Sequence, residues 1–285
     1  MKKKLFILLL LLLSMHSEAQ IRVLTPADIT KGISCDKKRF RIAYDMSFVK
    51  DTLRSNKPVK ESMILEIGSS VSLFYSYAAF HSDSIFADDM AKGLSQSVIN
   101  EHLNNSGVGQ ISWKLYKNYP QKGLYSLLDG LGMERYCCVE RMQIPDWNVC
   151  SDSTVMILGY NCRMATAVYK GRTWCAWYTE DIPVGEGPWK LCGLPGLILR
   201  AYDSQRQYVF EASGMEQIKD NVDLRYRGEK FEPIERKALD KLYARYYADP
   251  VGYITNNPNI KVTITDANGN PTAKPKAVPY NPIER

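Results

Sequence analysis

The sequence predicts a mainly β protein, β-rich within the α+β class: an antiparallel curved sheet, folded as a half-barrel or a sandwich, with one or two short helices. Three observations predict it. Apolar and polar residues alternate along many short stretches, the period of a half-buried strand. These stretches recur at roughly ten-residue spacing between clusters of Gly, Asp, Asn, Ser and Pro, as in a meandering antiparallel sheet. Only the segments 88–103 and 233–248 carry helical spacing.

The first strand is read over 42–49, where Ile42, Tyr44, Met46 and Phe48 share one face. A turn at Ser55-Asn56-Lys57-Pro58 leads to a second alternation at Met63, Leu65 and Ile67. After Gly68-Ser69-Ser70 a third places Val71, Leu73, Tyr75 and Tyr77 together. Met90, Leu94 and Val98 fall four apart and predict a helix over 88–103, which ends near Asn104-Asn105-Ser106-Gly107. Gly93 inside that helix costs ~1 kcal/mol relative to Ala.

From Ile111 onward the strand signal is dense. Ile111, Trp113, Leu115 and Tyr119 line one face, and strands follow near 124–128, 135–142, 154–158, 162–169, 172–179, 195–202 and 206–213. Turn residues separate them at Asp129-Gly130, Pro145-Asp146, Ser151-Asp152-Ser153 and Asp203-Ser204. The best-defined hairpin has a two-residue loop at Lys170-Gly171, which pairs Tyr169 with Arg172 and Thr166 with Cys175. Leu239, Leu242, Tyr243 and Tyr246 then mark the helix over 233–248, stopped by Pro250 through its effect on Asp249. The last stretch, 266–285, holds Pro271, Pro275, Pro279 and Pro282 and reads as an extended or disordered tail laid along the sheet.

Residues 1–19 have the form of a secretory signal peptide: Lys2, Lys3 and Lys4, an apolar run from Leu5 to Leu13, then Ser17-Glu18-Ala19 before Gln20. The run is about half the length a membrane span needs, and no Cys stands at the cleavage point for lipid attachment. The expected product is a single domain over 20–265 plus the tail, periplasmic or secreted, not membrane-spanning. Loss of three Lys and one Glu with the signal takes the formal charge from +6 to +4. Acids and bases intermingle throughout, for example over Arg225–Lys237, so no nucleic-acid partner is expected.

Seven cysteines follow the signal: Cys35, Cys137, Cys138, Cys150, Cys162, Cys175 and Cys192. An oxidising compartment makes all of them disulfide candidates, and the odd number leaves at least one thiol free or paired between chains. Cys137 and Cys138, adjacent on a strand, point to opposite faces. Cys162 lies two pairs beyond the partner of Cys175, too far for the ~5.5 Å between Cα atoms that a bridge requires. With no CxxC spacing and only His81 and His102 after the signal, neither a metal nor another cofactor is expected.

Catalytic patterns are sparse. Gly185-Glu186-Gly187 and Gly193-Leu194-Pro195-Gly196 lack the Gly-Lys-Ser/Thr of a phosphate loop, and Pro195 has no N–H to offer. His81-Ser82-Asp83 holds three triad residue types, but triads converge from separate elements, and no Gly-x-Ser-x-Gly elbow occurs. Glu180, Asp181 and Glu186 form an acidic group beside aromatic residues, of the kind that cleaves glycosidic bonds when correctly separated. The aromatic content, 18 Tyr, 8 Phe and 5 Trp, either lines a groove or fills a core. Candidate ligand-binding residues are Trp174, Trp177, Tyr178, Trp189, Leu194 and Pro195, and no residue is assigned a catalytic role.

The hexapeptide Gly193-Leu194-Pro195-Gly196-Leu197-Ile198 resembles the signature of the GLPGLI family, secreted or envelope proteins of Bacteroidetes-type bacteria with no established function. Similarity extends to Gly68–Ser76, Gly159–Ala165, Gly171–Tyr178, Ile182-Pro183, Gly187–Lys190 and Asn281-Pro282-Ile283-Glu284. The resemblance implies export and a β-rich fold, and it transfers no catalytic residue. The expected function is non-enzymatic: a binding or accessory protein for a hydrophobic or peptidic ligand or for another envelope protein. The alternatives are a secreted hydrolase of peptides or glycans and a structural or assembly subunit.

Overall fold

Alternation along 40–48 puts Ile42, Tyr44, Met46 and Phe48 in the core, and the same logic repeated through the chain builds one large sheet. The structure, a computed structural model, describes residues 32–106, 109–132, 134–255 and 277–285. The predicted signal peptide, residues 1–19, and residues 266–276 of the predicted tail lie outside these. The strands are β1 (Ile33–Lys37), β2 (Phe40–Phe48), β3 (Val59–Ile67), β4 (Ser72–Ser76), β5 (Lys114–Lys117), β6 (Leu124–Leu131) and β7 (Glu134–Arg141). They continue as β8 (Asn148–Ile157), β9 (Tyr160–Tyr169), β10 (Arg172–Thr179), β11 (Leu197–Asp203), β12 (Tyr208–Gln217), β13 (Asp223–Tyr226) and β14 (Glu232–Pro233).

Twelve strands form one sheet in the order β14-β7-β6-β5-β4-β3-β2-β12-β11-β10-β9-β8, and β1 pairs separately with β13. Every pairing is antiparallel except β14 with β7. Two meanders, β2–β7 and β8–β12, are thus sewn together where β2 meets β12 over Phe40–Phe48. The sheet does not close into a barrel: β14 and β8 are its two edges. The hairpin register is as predicted, Tyr169 opposite Arg172 and Thr166 opposite Cys175, with Lys170 and Gly171 both at positive φ.

The main core joins residues of both meanders, among them Tyr44, Phe74, Tyr125, Cys138, Trp174 and Phe210. Each such side chain contributes roughly 1.5–3 kcal/mol on leaving water. A smaller cluster of Ile64, Leu73, Tyr116, Leu128, Cys137 and Leu224 lies on the other face. That second covering explains why β4 is buried along its whole length, Ser72 and Ser76 included, although its sequence reads as a half-buried alternation.

The segment 180–196 between β10 and β11 bridges the meanders. Lys117 Nζ of β5 donates to the Gly187 carbonyl (2.7 Å) and Trp147 Nε1 to that of Cys192 (2.8 Å), while just beyond the segment Tyr44 of β2 donates to the Ile198 carbonyl in β11 (2.6 Å). Gly196 is needed for this approach: a Cβ there would stand 1.9 Å from the Thr179 carbonyl oxygen.

Two helices, α1 (Tyr77–Ala91) and α2 (Gln96–Asn105), replace the single predicted helix over 88–103. Ser76 caps α1 by accepting from Ala79 N (3.1 Å), and Gly93 at φ +67° breaks the run. The second predicted helix is α3 (Arg236–Ala248), and Pro250 both ends it and opens α4 (Pro250–Thr255). The terminal residues 277–285 carry no regular secondary structure.

All seven thiols are free, so the structure forms none of the expected disulfides. Cys137 and Cys138 do point into different clusters, and Cys138, Cys162 and Cys192 are buried as small apolar side chains. Burial pushes the Cys35, Cys138 and Cys162 thiols up to about 11.

Candidate functional site

The six candidate ligand residues do not share one wall. Trp174, Tyr178 and Leu194 are core residues, with Trp174 stacked on Phe210 (centroids 6.3 Å apart). Trp177 is half-buried on β10, Pro195 is exposed in the crossing segment, and Trp189 alone of the six lines a cleft. The acidic group disperses as well. Glu180 pairs with Arg163 (2.9 Å), Glu186 pairs with the buried Lys117 (2.8 Å), and Asp181 is exposed. His81 stacks on Tyr77 and His102 Nδ1 meets Asp89 (2.8 Å), contacts that join neither imidazole to a thiol or hydroxyl. Among the described residues no group of three His, Cys, Asp or Glu could hold a metal ion, and no helix is long and apolar enough to cross a membrane.

The cleft has a volume of about 410 Å³ and is walled by β6, the residues just before β5, α3 and the C-terminal segment 278–284. Its aromatic side chains come in pairs: Trp113 edge-on to Trp189 (4.5 Å), Phe48 stacked on Tyr208 (6.0 Å), Tyr247 stacked on Tyr280 (4.2 Å). Trp189 sits at φ +52°, a backbone state that turns its ring toward Trp113 at a cost of about 1–2 kcal/mol.

Polar groups complete the lining. Asp129 on β6 accepts from Ser112 Oγ (2.6 Å), from Gly130 N (2.7 Å) and from the Tyr243 hydroxyl of α3. Burial raises its pKa despite those three donors. Behind the lining, at the Glu284 end, the fully buried Lys190 pairs with Glu140 of β7 and with Glu284 (2.5 Å), and lies 5.3 Å from the ring centres of Tyr125 and Trp189. Desolvation pushes the Glu140 carboxyl up, but Lys190 and then Arg236 outweigh it and hold it below the usual range. Arg236 of α3 pairs with Asp240 (3.0 Å) and more loosely with Glu284 (3.7 Å). An aromatic hollow whose carboxylates are engaged by protein partners, and whose Trp189 Nε1 and Arg236 Nη1 lack a hydrogen bond, can hold an apolar body and orient it at its polar end.

Sequence reasoning missed Asp129, Tyr243 and the C-terminal segment as one place. Asp129-Gly130 reads as a turn, yet β6 runs through it to Leu131. The available signal was the helical face of Tyr243 and Tyr246, which needs a polar or aromatic surface to rest on.

Fold and cleft together define a β-rich protein, dominated by one twelve-stranded sheet, with an aromatic hollow under its C-terminal segment. A protein-family model described as "Protein of unknown function (Porph_ging)" matches residues 164–200. That stretch runs from β9 through the crossing segment into β11, and the family is the one the GLPGLI block resembles. No curated protein matches the chain. The solved structure of PNGF-II in space group P21 is similar, with TM-score 0.51 at 18% identity, covering 74% of this chain and 34% of that one. Its C2 form gives TM-score 0.48 at 20% identity, over 72% and 33%. The chain thus spans about a third of PNGF-II's length, and at this identity the likeness is one of fold.

Proposed function

We propose that this chain is an exported member of the Porph_ging group that binds a hydrophobic or peptidic ligand, or a segment of an envelope partner, in the aromatic cleft. The observation that carries the reading is the aromatic lining of a hollow of about 410 Å³ with Asp129 at its wall. The likeness to part of PNGF-II is compatible with a β-rich module and adds no activity. A hydrolase would need carboxyl groups free to meet substrate. Asp129 and Glu284, the two that line the cleft, are both engaged by protein partners, so binding is the preferred reading.

The test uses the apolar fluorophore 1-anilinonaphthalene-8-sulfonate on the folded protein. Saturable binding is expected, weakened about tenfold or more by Trp113→Ala, since an aromatic anchor of a buried pocket dominates such affinity. Binding indifferent to Trp113 would move the site elsewhere, and no binding would remove the reading. Export is tested separately by N-terminal sequencing of the protein from its own host, where a start at Gln20 is expected.

A further inference from the structure

The C-terminal segment is held in an unusual manner. It pairs with no strand of the sheet; its hold comes largely from side chains that read four successive residues. Arg172 of β10 donates through Nε to the Ile283 carbonyl (2.9 Å) and through Nη2 to the Pro282 carbonyl (2.5 Å) and Asn281 Oδ1 (2.9 Å). The other end of the Asn281 amide donates to the Val49 carbonyl (2.9 Å) and Gln207 Oε1 (3.1 Å), and its own carbonyl accepts from the Tyr208 hydroxyl (2.6 Å). Pro282 has no N–H to satisfy, Ile283 packs against the main core, and Glu284 meets Lys190.

The receptor for these residues is assembled from the sheet itself. Arg172 already has Asp203 as its carboxylate partner (2.8 Å), and the other Asp203 oxygen accepts from Tyr208 N (2.8 Å). Lys190 already has Glu140. Each cation therefore keeps a counter-charge whether or not the segment is present, which preorganises the site and lowers the cost of exchanging its occupant. The guanidinium plane also lies 4.7 Å from the Tyr208 ring, which fixes its orientation.

We propose that Arg172, Asp203, Gln207, Tyr208 and Lys190 form a peptide-recognition site for an extended Asn-Pro-apolar-Glu segment, with the chain's own residues 281–284 as its resident ligand. Asparagine is selected because both ends of its amide are read. Glutamate is selected by Lys190, and a residue lacking an N–H is tolerated between them. The segment and Tyr208 also belong to the wall of the aromatic hollow, but exchange of the segment and fluorophore binding in the hollow are separate measurements, and either can fail without the other.

The experiment keeps the full chain. A protease recognition sequence placed within 256–276 is cut after folding, and a fluorescent nonapeptide with the sequence of residues 277–285 is added. The cut protein is expected to keep its circular dichroism spectrum and to exchange its terminal segment for the labelled peptide. Peptides carrying Asn281→Ala or Glu284→Gln should compete at least about tenfold more weakly, the loss that follows from removing hydrogen bonds to charged groups. Arg172→Lys in the cut protein should weaken uptake by a similar factor, since an ammonium cannot form the same fork. A cut protein that unfolds, never exchanges, or takes the altered peptides equally well overturns the proposal: the segment would then be a fixed part of the fold.

Discussion

Asp129 is pulled two ways, by burial, which favours its neutral form, and by three donors, which favour the charged one. Burial wins, and its pKa in the folded chain is raised. The folded state therefore binds a proton more tightly than the unfolded chain. Its contribution to stability is complete below the ordinary carboxylate value of about 3.9 and is lost as pH rises through the raised folded value. Asp129→Asn keeps the shape and an acceptor for Ser112 and Gly130, while its amide donates to the Tyr243 hydroxyl. Urea midpoints measured across that pH window should fall less steeply with pH in the variant; an unchanged slope would mean that Asp129 does not hold the proton. Gly196 gives the second prediction at this scale. Gly196→Ala brings a Cβ to 1.9 Å from rigid backbone, so urea unfolding should show a loss of about 3 kcal/mol or more. A loss below about 1 kcal/mol would show that the crossing segment is loosely seated.

Elements were legible where a local pattern decides them. The strands of both meanders, the Lys170-Gly171 hairpin and α3 follow from periodicity and turn chemistry alone. The strands β1, β13 and β14 were missed because they are short and polar and owe their pairing to distant partners. Most of α1, residues 77–87, was missed, with Tyr77 read into the preceding strand, for a related reason: Ala87 and Asp89 are the helix's only buried residues, which leaves too faint a stripe for a helical period to emerge. Of the cleft, the sequence revealed Trp189 and the family likeness of Asn281–Glu284, but their meeting depends on the sheet's curvature. The hairpin carries a prediction of its own. Lys170 sits at φ +49°, where Asn is at ease and Lys is not. Lys170→Asn should raise stability by up to about 1 kcal/mol in urea unfolding, and a decrease would show that the Lys170 side chain contributes more than its backbone costs.

Over the whole molecule, the question is what holds an open sheet in its curve. The crossing segment ties the meanders from within through Lys117 and Trp147, Tyr44 adds a tie from β2 to β11, and the terminal segment ties β10, β12 and α3 at the cleft. No covalent staple is needed, because a chain with 45% hydrophobic residues can bury a core large enough to fold on its own. This bears on the cysteines. The disulfide expectation rested on the compartment, whereas the fold uses several of these thiols as core packing and keeps all seven apart. Burial raises the pKa of Cys35, Cys137, Cys138, Cys162, Cys175 and Cys192 and leaves them little thiolate near neutral pH, so their oxidation should be slow even in an oxidising compartment. Alkylation in denaturant without reductant, read by mass spectrometry, should therefore label all seven cysteines of protein taken from its native host. In the folded protein the half-buried Cys35, Cys150 and Cys175 should react before Cys138 and Cys162, which are fully enclosed. Two labels fewer in the denatured sample would reveal a disulfide, and with it a different arrangement of the strands that carry those residues.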